Sequence, residues 1–378
     1  MNKANINSNK IKIFIASYSL GIGGVEKALL GLLNSLDYEK CQVDLLLMIP
    51  EGELIDQINP NVNLLSTPAE FQWINIQKGC ITSSVHQLLK RPRLLCVYLK
   101  NLFQGIVTKK MTISRQLMWK AASYSLPKVK GDYDYALDFS GSFRRYIIER
   151  IEARHKYTWI HSDFRVMGFN NRIEESILSQ YDGILCVSKT CKEIFDELFP
   201  TLAHKTHVEL NRIDIKLINQ MAASGKGFDD GFTGIRLLDV TRIDPNKGLD
   251  IAVQVCSKLK ASGIKFRWYI LGNDPLGYKK TLESLIAKYD VEQEFILLGF
   301  TSNPYPYMMQ ADIIVHFSRF EGKSVALDEA LALGKTILVT DYPTAKDQIT
   351  DGINGHICKL DIYELTSKLT RLLTRHDK

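Results

Sequence analysis

Short apolar runs recur along the chain, each closing on small or polar residues. "IKIFIAS" opens the series, followed by the glycine-rich "LGIGGVEK" and the helical pattern "ALLGLLNSL", then the second run "CQVDLLLMIP". This reads as strand, turn, helix, strand. "YDYALDFS", "KYTWIHS", "DGILCVS" and "THVELN" continue it, with helical patterns such as "RIEESILSQ" and "KTCKEIFDELF" between several of them. After "QMAASGKGFDDGFTG" breaks the rhythm, a cleaner alternation resumes: "IRLLDVT", "GLDIAVQVCSKLKASG", "KFRWYILG", "YKKTLESLIAKYD", "EFILLGF", "ADIIVHFS", "SVALDEALALG" and "TILVTD". Strands that are apolar throughout and alternate with helices predict parallel sheets covered on both faces. The expected fold class is therefore α/β with two Rossmann-like domains across a cleft. The boundaries are expected at 1–212 and 213–361, the region Ile213 to Gly234 serves as passage, and a terminal helix at 362–378 returns to the first domain.

Composition changes this picture little. At 378 residues, 45% hydrophobic and 24% charged, the chain suits a two-domain globular protein. The polar start "MNKANINSNK" lacks the apolar stretch of a signal peptide, and no run suits a membrane span. Seven scattered cysteines without a C-x-x-C pair suggest neither a disulfide framework nor a zinc site, so a reducing cytoplasm is expected.

Charge changes it more. The net charge of +6 hides a stretch, 71–130, with no Asp or Glu and eleven Lys or Arg, so the remainder is net negative. Within it "RPRLLCVYLKNLFQGIV" places Pro92 near a helix start. Leu94, Tyr98, Leu102 and Ile106 recur at fourfold spacing, as do Leu95, Leu99 and Phe103. This amphipathic helix either packs on its own domain or meets an anionic membrane surface.

Candidate chemistry concentrates in "FSRFEGKSVALDEALALGK". It places Glu321 in a turn at a strand end, Gly322 directly after it, and Glu329 in the following helix, which Gly334 stops. Ligands of open α/β sheets bind at such strand ends. Gly322 admits close backbone approach, and the helix start favours an anion. Glu329 lies about 7–8 Å further along. Carboxylates that hold hydroxyls on either side of a phosphate site fit a nucleotide-sugar. The rival dinucleotide fingerprint in "LGIGGVEK" fails, since Glu26 takes its third glycine position and the second strand ends without an acidic residue.

The segment resembles the E-x7-E element of the family 4 retaining glycosyltransferases, which have the GT-B fold, with looser similarity in the first half of the chain. The resemblance implies that Glu321 contacts the donor sugar and Glu329 the ribose, with Gly322, Lys323, Ser324 and Val325 also at the donor. "TRIDPNKGLD" resembles the loop whose Arg and Lys bind the diphosphate, here Arg242 and Lys247, with Thr241 where Gly is frequent. Gly23 and Gly24 match the first-domain glycine loop. His161 in "TWIHSDF" matches a histidine close to the donor sugar, while Asp163 and Ser140 fall on the acceptor side. "ILGNDP" retains Gly272 but has Asp274 in place of a second Gly, and "LLGF" places Gly299 near the base.

The implied function is retaining, metal-independent transfer of a sugar to a saccharide or lipid-linked saccharide in bacterial surface-polysaccharide assembly. UDP is the expected nucleotide, no cofactor is required, and the location is cytoplasmic or peripheral on the inner membrane face. Nucleic acid is not an expected partner. A sugar-nucleotide epimerase and a non-catalytic nucleotide-sugar-binding subunit remain as alternatives.

Overall fold

The computed structural model describes residues 10–376 apart from 22, 72–88, 90–91 and 109–110. Much of the basic stretch, including Lys78, Lys90, Arg91, Lys109 and Lys110, lies outside the described residues, as does the unassigned position 22 before Gly23. Two compact units divide the chain, Met1–Arg212 and Ile213–Lys378.

The first unit holds a seven-stranded parallel sheet. Its strands are β1 (Ile11–Ser17), β2 (Cys41–Leu47), β3 (Val62–Leu64), β4 (Tyr133–Asp138), β5 (Ala153–Ile160), β6 (Gly183–Cys186) and β7 (Thr206–Val208). Their order is β3-β2-β1-β4-β5-β6-β7. The second unit holds a six-stranded parallel sheet of β8 (Ile235–Val240), β9 (Phe266–Leu271), β10 (Phe295–Gly299), β11 (Ile313–His316), β12 (Thr336–Thr340) and β13 (His356–Cys358). The order there is β10-β9-β8-β11-β12-β13.

Both orders reverse direction once, between β1 and β4 and between β8 and β11. The loops leaving the C-terminal ends of those strands diverge to opposite sides and open a crevice. The segments 18–21, 23–24, 139–143, 241–248 and 317–324 therefore stand where a doubly wound sheet binds ligands. The apolar strands explain the layering: Leu237, Trp268, Ile270, Ile313 and Val315 face one side, and Leu238, Tyr269, Leu271 and Ile314 the other. Each face needs a helical cover, and each has one.

Two expectations are corrected. The terminal helix Ile362–His376 belongs to the second unit. Leu365, Leu369, Leu372 and Leu373 bury themselves with Leu249, Val253 and Cys256 of the helix Leu249–Lys260 in the second unit's core. The region 213–234 is not a plain linker either. It carries the helix Ile215–Ser224, whose Ile218 and Ala222 join the core with Met308 and Leu327. Beyond that helix Phe228 packs on Tyr269 with ring centroids 4.4 Å apart, and Asp230 pairs with Arg236 and Arg267.

The amphipathic helix runs Pro92–Thr108 and splits its apolar residues between two environments. Leu95 and Tyr98 pack with Trp119 against the first unit's core, whereas Leu99, Phe103, Ile106 and Val107 are exposed. Among the described residues no helix is long and apolar enough to cross a membrane.

Candidate functional site

The second unit builds its site from the two loops that flank the strand reversal. After β8 the chain runs through Thr241 and Arg242 into a single turn, Pro245–Lys247, where Asp244 accepts a 2.9 Å bond from the Asn246 N–H. Gly248 follows with φ +63, and a Cβ there would lie 2.0 Å from the Phe317 carbonyl oxygen. Only glycine lets the two loops approach this closely. Arg319 fastens them further, its N–H donating to Asn246 O at 2.8 Å and its guanidinium to Asp250 at 2.7 and 3.0 Å.

This docking brings Lys247 Nζ onto Glu321 Oε1, with both side chains 14% exposed. The same oxygen lies 2.9 Å from His316 Nε2, at the end of β11. His316 Nδ1 in turn lies 3.4 Å from Asp239 Oδ1 on β8. Thr344 Oγ1 donates to the Glu321 carbonyl at 2.9 Å and steadies its backbone. Burial works against charge on Glu321, but Lys247 and His316 outweigh it and hold the carboxyl down at about 2. Burial also opposes charge on His316, yet the carboxylates at its two nitrogens lift it to about 9. Asp239 is pushed up by burial, with His316 and Lys247 opposing. The turn thus presents an ionised carboxylate with cations behind it.

The helix Val325–Ala332 follows, with Ser324 at its N-cap and Gly334 in the left-handed conformation beyond its end at φ +65. Its first N–H groups are less open than the sequence suggests. Gln348 Oε1 accepts from the Ser324 N–H at 2.9 Å, and Gln348 Nε2 returns to Ser324 O and to Asp328 Oδ1 at 2.8 and 2.7 Å. Lys323 is drawn back onto Asp328 at 2.6 Å. Val325 and Ser324 are largely buried, so this residue set offers backbone rather than side-chain contact. Glu329 is buried inside the helix and accepts from the Tyr305 hydroxyl at 2.9 Å.

Glycines line the neighbouring strand ends. A Cβ on Gly272 would fall 1.8 Å from Thr241 O, and its N–H donates to Gly299 O at 2.8 Å. Gly299 itself has φ +80. Thr241 Oγ1 is buried and finds no hydrogen-bond partner among the described residues. Asp274 has local work: its carboxylate accepts from the N–H groups of Tyr278 and Lys279 at 2.7 and 3.2 Å and caps the helix Lys279–Lys288. Arg242 is about half exposed, 3.8 Å from Asp244.

In the first unit, Gly23 is extended and precedes the helix Gly24–Ser35, with the Glu26 carboxylate folded over it. His161 follows β5, and its Nε2 lies 2.7 Å from Phe139 O, so Nε2 carries the proton and donates. Burial pushes its imidazole down to about 4, with the Phe139 bond opposing and Arg144 adding to the drop, so His161 is neutral near pH 7. Asp163 is committed elsewhere: it accepts from the Arg165 N–H at 2.9 Å and from its guanidinium at 2.6 Å. His161 and Ser140 line a cavity of about 760 Å³ together with Arg115, Arg144, Arg145 and Trp119. Ser140 Oγ is buried there without a hydrogen-bond partner among the described residues. Arg144 pairs with Glu174 at 3.1 Å, and Gln116 Nε2 donates to the same carboxylate at 2.7 Å.

Sequence reasoning missed His316, Asp239, Arg144 and Glu174. A signal existed for the first two, since each is a charged or polar residue inside a mostly apolar strand run, "ADIIVHFS" and "IRLLDVT".

Comparison with known proteins decides what this loop geometry belongs to. The family model for glycosyl transferases group 1 matches residues 233–378, which carry both loops and both glutamates. Residues 233–378 are similar to the group 1 glycosyl transferases. The matched region takes in Arg242, Lys247, Glu321 and Glu329, while His161 and the first-unit cavity fall outside the match.

Among curated proteins, the chain is 30% identical over 198 residues to N-acetylgalactosamine-N,N'-diacetylbacillosaminyl-diphospho-undecaprenol 4-alpha-N-acetylgalactosaminyltransferase of Campylobacter jejuni. That match covers 51% of this chain and 52% of the relative. It is 31% identical to the amylovoran biosynthesis glycosyltransferase AmsK of Erwinia amylovora, over 36% of each chain. The chain spans about half the length of the first relative, and less of the second. A crystal structure of Anabaena HepE with UDP and glucose superposes with TM-score 0.67 at 16% identity, covering 96% of this chain and 89% of that one. Staphylococcus aureus TarM superposes with TM-score 0.67 at 12% identity, over 96% and 93%. The fold is GT-B, two Rossmann-like units of mixed α/β structure.

Proposed function

We propose that the protein is a retaining glycosyltransferase of bacterial surface-polysaccharide assembly, using a UDP-sugar donor and a saccharide or lipid-linked saccharide acceptor. The observation that carries this reading is the ionised Glu321 bound by Lys247 at the strand reversal of the region similar to group 1 glycosyl transferases. Arg242 and Lys247 neutralise the diphosphate, whose charge grows as the glycosidic bond breaks, without need of a metal. Glu321 holds donor-sugar hydroxyls, and Glu329 with Tyr305 holds the ribose. Backbone at Gly272, Gly299 and Gly322 admits the nucleotide closely. Two relatives support the setting, one named for an undecaprenol-linked acceptor and one for amylovoran synthesis.

The acceptor is assigned to the first-unit cavity, where Arg115 suits an anionic group and His161 positions as a neutral imidazole. Retention follows from same-face attack, in which the acceptor hydroxyl passes its proton to the departing phosphate oxygen. Asp163 is assigned no part in this chemistry because Arg165 occupies its carboxylate. A non-catalytic binding subunit would have no use for the Lys247–Glu321 pair, which places charge at the bond to be broken.

Incubation with UDP-, GDP- and ADP-sugars and a membrane extract should show transfer from one donor, undiminished by EDTA, with the anomeric configuration retained by proton NMR. Free sugar isomers without acceptor would point to an epimerase instead. Inversion or loss of activity in EDTA would contradict the mechanism.

The exposed side of the helix Pro92–Thr108, with Leu99, Phe103, Ile106 and Val107 in an acid-free stretch, suits peripheral contact with the inner membrane face. Sedimentation with vesicles containing anionic lipid should succeed for the wild type and fail for Phe103→Ser combined with Ile106→Ser. Equal sedimentation of both would show that this helix face makes no membrane contact.

A further inference from the structure

This inference rests on the reading that Glu321 meets the transferred sugar. Asp239 and His316 are almost fully buried on the paired strands β8 and β11, and neither lies on a ligand-binding loop. Their side chains nevertheless form one chain of contacts ending on Glu321: Asp239 Oδ1 to His316 Nδ1 at 3.4 Å, then His316 Nε2 to Glu321 Oε1 at 2.9 Å. A histidine can donate to carboxylates at both ring nitrogens only as imidazolium. Both His316 and Lys247 bind the same oxygen, Oε1, so Glu321 is held on one edge.

We propose that His316, itself held by Asp239, is a positioning residue that fixes Glu321 through Oε1 and turns Oε2 toward the hydroxyls of the donor sugar. The titratable groups facing it are Asp239 from β8, Glu321 from its own loop, Lys247 from the loop after β8, and Tyr342 after β12. The Tyr342 ring stands edge-on at 6.2 Å, and its hydroxyl has no hydrogen-bond partner among the described residues. Two carboxylates and two cations make the cluster neutral overall, which lowers the cost of burying it. A cation held near pH 7 is consistent with His316 being raised to about 9. Removing it leaves Asp239 and Glu321 to share Lys247, so Glu321 both loses orientation and gains affinity for a proton.

The test compares wild type, His316→Gln, Asp239→Asn and the double variant, using the donor found by the screen above. Gln keeps a donor toward Glu321 but carries no charge. His316→Gln should lower kcat roughly 10–100-fold, the scale of a misplaced positioning group. KM for the donor should change little, and calorimetric titration with UDP alone should be unaffected. The acid limb of the kcat profile should move to higher pH. Asp239→Asn should move it the same way by less, and the double variant should be no slower than His316→Gln, because Asp239 acts only through the imidazole.

Wild-type kcat and acid limb in His316→Gln, or losses that multiply in the double variant, would overturn the proposal while leaving the donor reading intact. If His316→Gln fails to fold, Asp239→Asn carries the test, and an unchanged acid limb there overturns it. Protein labelled with 15N-histidine gives a readout independent of turnover. The His316 resonances should show both nitrogens protonated at pH 7.5, and a neutral ring would overturn the proposal even if no nucleotide-sugar reacts.

Discussion

Glu321→Gln is expected to lower sugar transfer about 100-fold while leaving UDP affinity within a few-fold of wild type. The carboxylate sits between Lys247 and His316 and is ionised far below neutral pH. A hydrogen bond to a charged group contributes about 1.5–3 kcal/mol, and the upper part of that range corresponds to the predicted loss. Gln fills the same space and can still accept from either cation, so the loop should hold its place. The effect on catalysis should therefore fall on kcat, measured at saturating donor, while the melting temperature also drops, because the buried cations Lys247 and His316 lose a counter-charge. Loss of UDP binding would instead place Glu321 at the nucleotide.

Arg144→Met should give the largest loss of stability in the first unit. Arg144 and Glu174 are 9% and 6% exposed and lie 3.1 Å apart, with Gln116 also donating to the carboxylate. Removing the arginine leaves a charge buried on a single amide donor, which costs about 3–5 kcal/mol. Asp138, buried nearby and already raised to about 6 mainly by burial, loses the cation that lowers it. For a unit of this size the melting temperature should fall by roughly 6–20 °C, followed by circular dichroism. Combining Arg144→Met with Glu174→Met should restore much of it, since an apolar pair of similar volume leaves no orphaned charge. A double variant no better than the single would show that the pair matters for something besides its mutual charge.

The strands were legible because their chemistry is local. "IKIFIAS" became Ile11–Ser17 and "CQVDLLLMIP" became Cys41–Leu47, since a strand buried on both faces must be apolar throughout. The strands Val62–Leu64 and His356–Cys358 escaped notice: each is three residues long at a sheet edge and only half covered, so no apolar run marks it. The terminal helix was misplaced because its stripe of Leu365, Leu369, Leu372 and Leu373 states that it packs, not on what.

The site divided in the same way. Glu321, Gly322 and Lys247 were readable because strand ends and turn residues announce themselves in order along the chain. Asp163 looked available, yet Arg165 two residues away takes its carboxylate, and only side-chain geometry shows this. His316 and Arg144 were passed over for a shared reason. A charged residue in a strand or short helix reads as an isolated exception until its partner, distant in sequence, is placed beside it.

The loops after β8 and β11 are expected to hold a nucleoside diphosphate and the sugar attached to it. Isothermal titration of UDP into wild type, and into protein carrying Arg242→Ala with Lys247→Ala, tests this most directly. Saturable binding at one site is expected in wild type, with a loss of at least about 100-fold in the double variant, since two charge-assisted contacts at about 1.5–3 kcal/mol each are removed. Undiminished binding in the variant, or none in wild type to UDP, GDP or ADP, would contradict it.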